Sequence, residues 1–168
     1  RLNSLSGSKG SIEIKTSARE ETIELGKLIG SVVPMGTVVS LEGSLGSGKT
    51  VFAKGFCLGL GVKEDVLSPS FILVEEYRGV FPVYHFDLYR LEEIHEVEEI
   101  GLLDYIDGRN IVIIEWGDRL PDGYIEKDII VGIEIAGENE RIIRITAQKN
   151  IVEVVDGFKG QRETGPGT

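Results

Sequence analysis

The spacing of apolar residues in the first third of the chain switches between that of a strand and that of a helix. Apolar and charged residues alternate over 12–15, which predicts a strand, and a helical spacing then runs to about Gly30. The β-rich run 37–41 predicts a buried strand. Apolar residues within 51–60 recur at helical spacing, and Gly61 is a typical helix end. The predicted order is therefore strand, helix, strand, helix.

The later part of the chain contains two pairs of strand-like runs, and each pair is joined by a short turn. The runs 69–77 and 80–88 flank Arg78-Gly79, and the runs 129–136 and 141–147 flank a polar turn. Each pair predicts an antiparallel hairpin.

An acidic helical pattern over 91–101 and an apolar run over 110–114 separate the two hairpins. A nearly continuous apolar strand is typical of a sheet covered on both faces. We therefore expect 110–114 to lie at the centre of the sheet, parallel to strand 37–41, with the hairpins extending the sheet antiparallel. This pattern predicts a three-layer α/β fold with a mixed, mainly parallel central sheet.

The two ends of the chain differ in composition from the part between them. Residues 1–11 are rich in Ser and Gly, and we interpret them as a disordered segment or a remnant of cloning. Residues 157–168 are rich in Gly and are expected to form a flexible tail. The prediction is a single domain over residues 12–156, which is long enough for a real core.

Composition and charge narrow the classes of function. No apolar run approaches the ~20 residues that cross a bilayer, so no membrane contact is expected. The single cysteine, Cys57, is interpreted as a small core residue of a cytoplasmic protein. The net charge is −10, from 18 basic and 28 acidic residues. An acidic chain repels a polyanion, so any nucleic acid is expected to be held by a partner.

A phosphate-binding motif lies between the strand 37–41 and the helix that follows it. It reads Gly43-Ser44-Leu45-Gly46-Ser47-Gly48-Lys49-Thr50, which is the G-x-x-x-x-G-K-[ST] pattern of a P-loop. Glycines permit backbone conformations in which consecutive N–H groups surround a phosphate. Lys49 can reach the β- and γ-phosphates, and the Thr50 hydroxyl suits Mg²⁺. The motif therefore predicts a nucleotide bound by these eight residues, together with Mg²⁺.

Hydrolysis or phosphoryl transfer also needs a carboxylate near the metal and a group that orients the attacking atom. Glu115 ends the strand 110–114 at the edge where α/β sheets bind ligands. We expect it to hold Mg²⁺ through water or to align an attacking water. Asp87 shares one face of a strand with His85 and Tyr89. It is expected either to assist catalysis or to belong to a structural network with His85.

Several other residues have two interpretations each. Ser70 lies either in a plain turn or in a switch segment near the γ-phosphate. Trp116 either covers the site or packs beside it. Candidate charge stabilisers are Arg78, Arg90, Arg109 and Arg119. Candidate switch or partner-contact residues are Ser70, His85, Tyr89, Arg90 and Trp116.

Five stretches together resemble the TsaE (YjeE) family of bacterial P-loop ATPases. They are Gly43–Thr50, Ser68–Val74, His85–Arg90, Glu98–Leu102 and Ile114–Trp116. The P-loop is generic, whereas H-F-D-L-Y-R followed by I-E-W is specific. The order and spacing of these stretches agree with those of the family from about Ser17 to Ala147. The family usually has Thr where Ser70 stands, so a hydroxyl is kept there.

The resemblance implies an ATPase that helps to make threonylcarbamoyladenosine, the modified base beside the anticodon of tRNAs that read ANN codons. It implies a partner pair, TsaB–TsaD, which holds the tRNA and which ATP hydrolysis resets between turnovers. Lys49 and Thr50 match the family's P-loop lysine and Mg²⁺-binding threonine. Glu115 matches its Walker-B-like acid, and Asp87 matches its second essential carboxylate.

Two other functions are compatible with a P-loop. A small-molecule kinase would need an acceptor pocket and a closing lid, whereas the last third of this chain predicts a hairpin. A nucleotide-gated binding module would bind ATP without meaningful hydrolysis. Release of free phosphate with no phosphorylated acceptor separates the ATPase from the kinase. Loss of partner-stimulated hydrolysis in Glu115→Ala would exclude the binding module.

Overall fold

The structure, a computed structural model, describes residues 8–69 and 73–163. Its strands are β1 (Lys9–Thr16), β2 (Val38–Gly43), β3 (Val74–Arg78), β4 (Pro82–Asp87), β5 (Ile111–Glu115), β6 (Ile129–Ile135) and β7 (Arg141–Gln148). Its α-helices are α1 (Arg19–Gly30), α2 (Lys49–Gly59), α3 (Ile94–Ile100), α4 (Leu102–Tyr105) and α5 (Lys149–Glu163), with a short 3₁₀ turn at Gly117–Arg119. None of the helices in these two ranges is both long and apolar enough to span a membrane.

The described strands form one sheet in the order β1-β7-β6-β2-β5-β4-β3. The predicted centre is confirmed, because β2 pairs in parallel with β5. Both predicted hairpins are present, as β3–β4 and β6–β7. Each hairpin, however, joins the centre through a parallel pair, β4 on β5 and β6 on β2. The prediction that the hairpins extend the sheet in the antiparallel sense was therefore wrong for the strand pairs β4–β5 and β6–β2. A crossover through α3 and α4 leads from β4 to β5, and such crossovers connect parallel strands.

Helices cover both faces of the sheet, which confirms the three-layer arrangement. On one face α1, α2 and α5 form a core that includes Leu25, Phe56 and Val155. On the other face α3 and α4 pack Val97 and Leu102 against the sheet. The residues of β5 are all buried, and its four apolar residues alternate between the two cores. This is the environment that its continuous apolar sequence predicts.

Four glycines allow α1 and α2 to pack backbone against backbone. They are Gly26 and Gly30 on α1 and Gly55 and Gly59 on α2. A Cβ at Gly30 would lie 2.1 Å from the carbonyl oxygen of Phe56, and one at Gly55 would lie 2.1 Å from that of Ile23. These are backbone atoms that cannot rotate away. The close approach fixes α2, whose first turn carries Lys49 and Thr50.

We expect Gly30→Ala to lower the free energy of unfolding by about 2–3 kcal/mol, because the added methyl group forces the two helix backbones apart. Urea denaturation would measure the change. The matched control is Gly157→Ala in α5, where a Cβ would meet no atom of the described residues within 4 Å. Alanine there is expected to stabilise the helix by about 0.5–1 kcal/mol. An equal loss at both positions would contradict the packing argument.

The predicted domain limits at residues 12 and 156 require correction. β1 begins at Lys9, inside the segment 1–11, because its register with β7 continues to that residue. α5 continues through Gly157 to Glu163, inside the predicted tail. Phe158 packs against the core beyond the glycine, so tertiary contacts extend the helix that composition alone disfavours.

Candidate active site

The P-loop motif forms the connection between β2 and α2, as predicted. Gly46 and Gly48 have φ angles of 77° and 113°, in the left-handed region that favours glycine. A Cβ at either position would meet no atom of residues 8–69 and 73–163 within 4 Å. Backbone conformation, rather than lack of space, therefore requires glycine at these two positions. The loop leads into the first turn of α2, where backbone N–H groups lack helical acceptors and the helix dipole is positive.

Lys49 extends back along the loop that precedes it. Its Nζ donates to the carbonyl oxygens of Gly43 and Ser44, both at 2.8 Å. The same atom lies 3.9 Å from the centroid of the Trp116 ring. Burial lowers the pKa of Lys49, against the opposing effect of nearby acids that include Glu115. An anionic ligand at this point would offset the cost of burying the cation.

A chain of polar groups links Thr50 through Glu115 and His85 to Tyr77 of β3. The Thr50 hydroxyl donates to Glu115 Oε1 at 2.8 Å, and His85 Nε2 lies 2.6 Å from Glu115 Oε2. The Tyr77 hydroxyl lies 3.5 Å from His85 Nδ1, and burial raises the pKa of Tyr77 to about 12. Both oxygens of Glu115 are thus held in fixed directions. The predicted meeting of Glu115 with the P-loop is present.

Asp87 lies directly beside Glu115 at the carboxyl ends of two parallel strands. The two residues are register partners in the β4–β5 pair. Asp87 accepts hydrogen bonds from the Ser68 hydroxyl at 2.5 Å and from the backbone N–H of Tyr89 at 2.9 Å. Both acids and the P-loop line one cleft of about 430 Å³. His85 hydrogen-bonds Glu115, the register partner of Asp87.

The aromatic side of the cleft differs in part from the prediction. β4 ends at Asp87, so Tyr89 does not share a strand face with His85 and Asp87. Its ring instead packs on Trp116, with centroids 5.1 Å apart. Trp116 has a left-handed backbone with φ of 61°, and its ring covers Lys49.

The candidate switch and charge-stabilising residues lie at different positions relative to the cleft. Arg90 lines the cleft. The Arg119 guanidinium lies 5.0 Å from the centroid of the Trp116 ring, at the edge of the site. Ser70 lies outside the described residues, so its predicted switch role stays a prediction. The hydroxyl that meets Asp87 belongs to Ser68.

Arg141 at the start of β7 also contacts the P-loop. Its Nε donates to the carbonyl oxygen of Ser47 at 2.8 Å, and Nη2 lies 3.4 Å from that of Gly46. Arg141 was not among the predicted site residues. It is 94 positions away from Ser47 and belongs to no motif, so no local signal marks it.

The donor set suits Mg²⁺ bound together with phosphate. The described ranges contain no group of three or more His, Cys, Asp or Glu side chains that could hold a metal alone. Mg²⁺ usually keeps several waters and binds through one or two protein oxygens plus substrate phosphates. The Thr50 hydroxyl and the Glu115 carboxylate, 2.8 Å apart beside the loop, are oxygen ligands of this kind.

Strand, glycine-rich loop and helix, with acids at the ends of adjacent strands, define this chain as a P-loop protein. The family model for "Threonylcarbamoyl adenosine biosynthesis protein TsaE" matches residues 16–144. The chain therefore belongs to the TsaE family, and the predicted family is confirmed.

Individual relatives agree with this assignment. The chain is 39% identical over 142 residues to the tRNA threonylcarbamoyladenosine biosynthesis protein TsaE of Bacillus subtilis, covering 84% of this chain and 89% of the relative. The chain is 34% identical over 126 residues to the protein of the same name from Treponema pallidum, covering 75% of this chain and 93% of the relative. The crystal structure of YdiB from Bacillus subtilis superposes with a TM-score of 0.69 and 34% identity, covering 93% of this chain and 98% of YdiB.

Proposed function

We propose that this chain binds ATP with Mg²⁺ in the cleft beside the P-loop and hydrolyses it, as a cytoplasmic subunit required for threonylcarbamoyladenosine formation in tRNA. The observation that carries the proposal is the 2.8 Å contact between Thr50 and Glu115 next to the loop. It unites a P-loop hydroxyl with a buried acid from another strand. The family and the names of its relatives supply the pathway.

Binding of the triphosphate rests on the loop and on Lys49. The Lys49 ammonium group contacts neutral carbonyl oxygens of the loop and the face of an aromatic ring. A phosphate oxygen is a stronger acceptor for an ammonium group than a neutral carbonyl. Lys49 therefore exchanges loop carbonyls for the β- and γ-phosphates when ATP enters.

Mg²⁺ neutralises charge on the phosphates when it is bound. Thr50 would hold it directly, and Glu115 would hold it through water. His85 fixes the second oxygen of Glu115, so the carboxylate keeps its direction toward the loop. Lys49 and Glu115 would approach the bound phosphates from different elements. This arrangement restricts the position of the phosphates before the reaction.

Asp87 is the residue proposed to accept the proton of the attacking water or to assist the metal. It is buried, lines the cleft and is aligned by Ser68 and Tyr89. A lone arginine can be worth about 10³–10⁵ in rate when it contacts the transferred phosphoryl group. Arg119 instead contacts Tyr89, Leu91 and Trp116 at the edge of the site, which leaves Arg90, a residue of the cleft lining, as the nearer candidate. We propose slow hydrolysis by the chain alone and stimulation by a partner.

The proposed partners are the TsaB–TsaD pair, and tRNA is proposed to contact them rather than this chain. The net charge of −10 supports this division, because an acidic surface repels tRNA phosphates. ATP hydrolysis here would then act on the tRNA through the partner complex.

We expect Asp87→Asn to retain ATP binding and to lower hydrolysis by about 10²–10⁴-fold, the range for loss of a general base. Isothermal titration would give the affinity, and phosphate release would give the rate. The control is Asp122→Asn, an exposed residue of the loop before β6. Equal rates in the wild type and Asp87→Asn would assign Asp87 to a structural network with Ser68.

The function is tested by measuring phosphate release from ATP with and without TsaB–TsaD and tRNA. We expect slow release alone and a clear increase with the partners. A phosphorylated small-molecule acceptor in place of free phosphate would identify a kinase. Tight ATP binding with no release under either condition would identify a nucleotide-gated binding module.

A further inference from the structure

The Arg141 guanidinium is surrounded by backbone carbonyl oxygens. Besides Ser47 and Gly46, it donates through Nη1 to Gly137 at 2.9 Å, to Glu140 at 2.8 Å and to Glu138 at 3.3 Å. The first two acceptors belong to the P-loop, and the last three belong to the turn between β6 and β7. All three guanidinium nitrogens are engaged, so Arg141 acts as a bridge between the turn and the loop.

The contact with Ser47 determines where the next backbone N–H points. In a trans peptide the carbonyl and the following N–H lie in one plane and point in opposite directions. When Arg141 holds the Ser47 carbonyl, the N–H of Gly48 is directed away from Arg141. Of the described residues, Gly48 lines the cleft, whereas Arg141 lies outside its lining. The Gly48 N–H is therefore directed toward the side of the loop that faces the cleft.

Gly48 is tied to α2 through its carbonyl oxygen, which accepts a hydrogen bond from the Phe52 N–H at 2.9 Å, so what Arg141 adds is a restraint on the peptide before Gly48. The φ of Gly48, 113°, is accessible to glycine, and a glycine backbone can also leave this region. In the described part of the chain no atom lies within 4 Å of a Cβ built at Gly48, so the space on that side of the residue is open. A hydrogen bond from a charged donor to the adjacent carbonyl restrains the peptide.

We propose that Arg141 is a positioning residue for phosphate binding, which fixes the 47–48 peptide so that the Gly48 N–H is ready to donate to a nucleotide phosphate. The inference rests on the proposed nucleotide binding and adds a residue outside the P-loop motif to it. Arg141 itself does not touch the nucleotide. Its effect is to order the loop before binding, so it acts on affinity rather than on the chemical step.

The bridge requires arginine rather than any cation. Its acceptors lie on two separate segments, and the planar fork of a guanidinium reaches both at once. A lysine has one nitrogen on a flexible stem and cannot hold Ser47 and the turn together. Arg144 on the same strand provides a contrast, because it forms an exposed ion pair with Glu13 at 2.8 Å.

The test is isothermal titration of MgADP into the wild type, Arg141→Lys, Arg141→Gln and the control Arg144→Lys. We expect the affinity of both Arg141 variants to fall by about tenfold or more, the effect of losing one well-oriented charge-assisted hydrogen bond. The control should match the wild type. Circular dichroism at the titration temperature establishes that each variant is folded, since a purely structural role lowers the melting temperature without changing the affinity of folded protein.

A second measurement does not depend on nucleotide binding. Amide hydrogen exchange of Gly48 in the nucleotide-free protein should be faster in Arg141→Lys than in the wild type or Arg144→Lys. Unchanged exchange, or unchanged MgADP affinity in folded Arg141 variants, would overturn the inference. A reduced kcat with an unchanged KM for ATP would also overturn it, because that pattern indicates contact with the transition state. A wild type that binds no MgADP would refute the proposed function, while Gly48 exchange would still decide the role of Arg141.

Discussion

Lys49→Ala is expected to weaken MgATP binding by about 10²–10³-fold, because it removes charge-assisted hydrogen bonds to two phosphates. Isothermal titration would measure the loss. The fold should be retained, since Lys49 belongs to neither hydrophobic core cluster of the described residues and its burial carries an electrostatic cost. The melting temperature without nucleotide should therefore stay close to that of the wild type.

The matched control for this variant is Lys54→Ala, five positions further along α2. Among the residues that the structure describes, Lys54 lies outside the lining of the cleft, so this variant should bind MgATP normally. An unchanged affinity in Lys49→Ala would contradict the role assigned to the loop. Intrinsic fluorescence gives a second readout, because the single tryptophan, Trp116, has the Lys49 ammonium over its ring.

Glu115→Gln is expected to lower ATP hydrolysis by about 10²–10³-fold while MgADP binding changes little. Glutamine keeps the shape of the side chain and can still hydrogen-bond Thr50 and His85. It lacks the negative charge that would align an attacking water, whereas Thr50, the proposed direct ligand of Mg²⁺, is unchanged. Phosphate release measured in the presence of partners would give the rate, since the wild-type signal is expected to be largest there.

The control for Glu115→Gln is Glu153→Gln, an exposed residue of α5. It should hydrolyse ATP at the wild-type rate. Hydrolysis that persists in Glu115→Gln at the wild-type rate would remove Glu115 from the mechanism. The P-loop would then remain as a binding element whose catalytic acid lies elsewhere.

Local sequence was sufficient to predict the structure where a short segment determines its own conformation. The P-loop motif predicted the strand, loop and helix around residues 43–50 because glycine spacing and helical periodicity are local properties. The run 110–114 predicted a strand buried on both faces because four of its five residues are apolar. Ligands bind at the carboxyl ends of parallel strands, and this rule correctly placed Glu115 beside the loop.

Sequence was insufficient to predict side-chain contacts where the register between strands decides which side chains meet. β4 places Asp87 opposite Glu115 and His85 opposite Ile113, and no residue within β4 encodes that pairing. The His85–Glu115 contact, 30 positions apart, could not be read from spacing. Tyr89 was misplaced because a strand end shifts by a few residues with tertiary contacts.

Contacts made by the last part of the chain also could not be predicted from local sequence patterns. Arg141 reaches the P-loop only because β6 pairs with β2 and β7 follows β6 in the sheet. α5 continues past Gly157 because Phe158 packs against the core formed by α1, α2 and α5. In both cases the favourable contact is with a residue far away in the sequence, so composition near the residue gives no indication of it.

The most direct test of the central claim is a crystal structure of this chain with Mg²⁺ and a non-hydrolysable ATP analogue. We predict the β-phosphate against the backbone amides of 46–50, with Lys49 on the β- and γ-phosphates. Mg²⁺ should lie between the Thr50 hydroxyl and the γ-phosphate, facing Glu115. A nucleotide bound outside this cleft, or a P-loop closed against phosphate with the analogue bound elsewhere, would contradict the account.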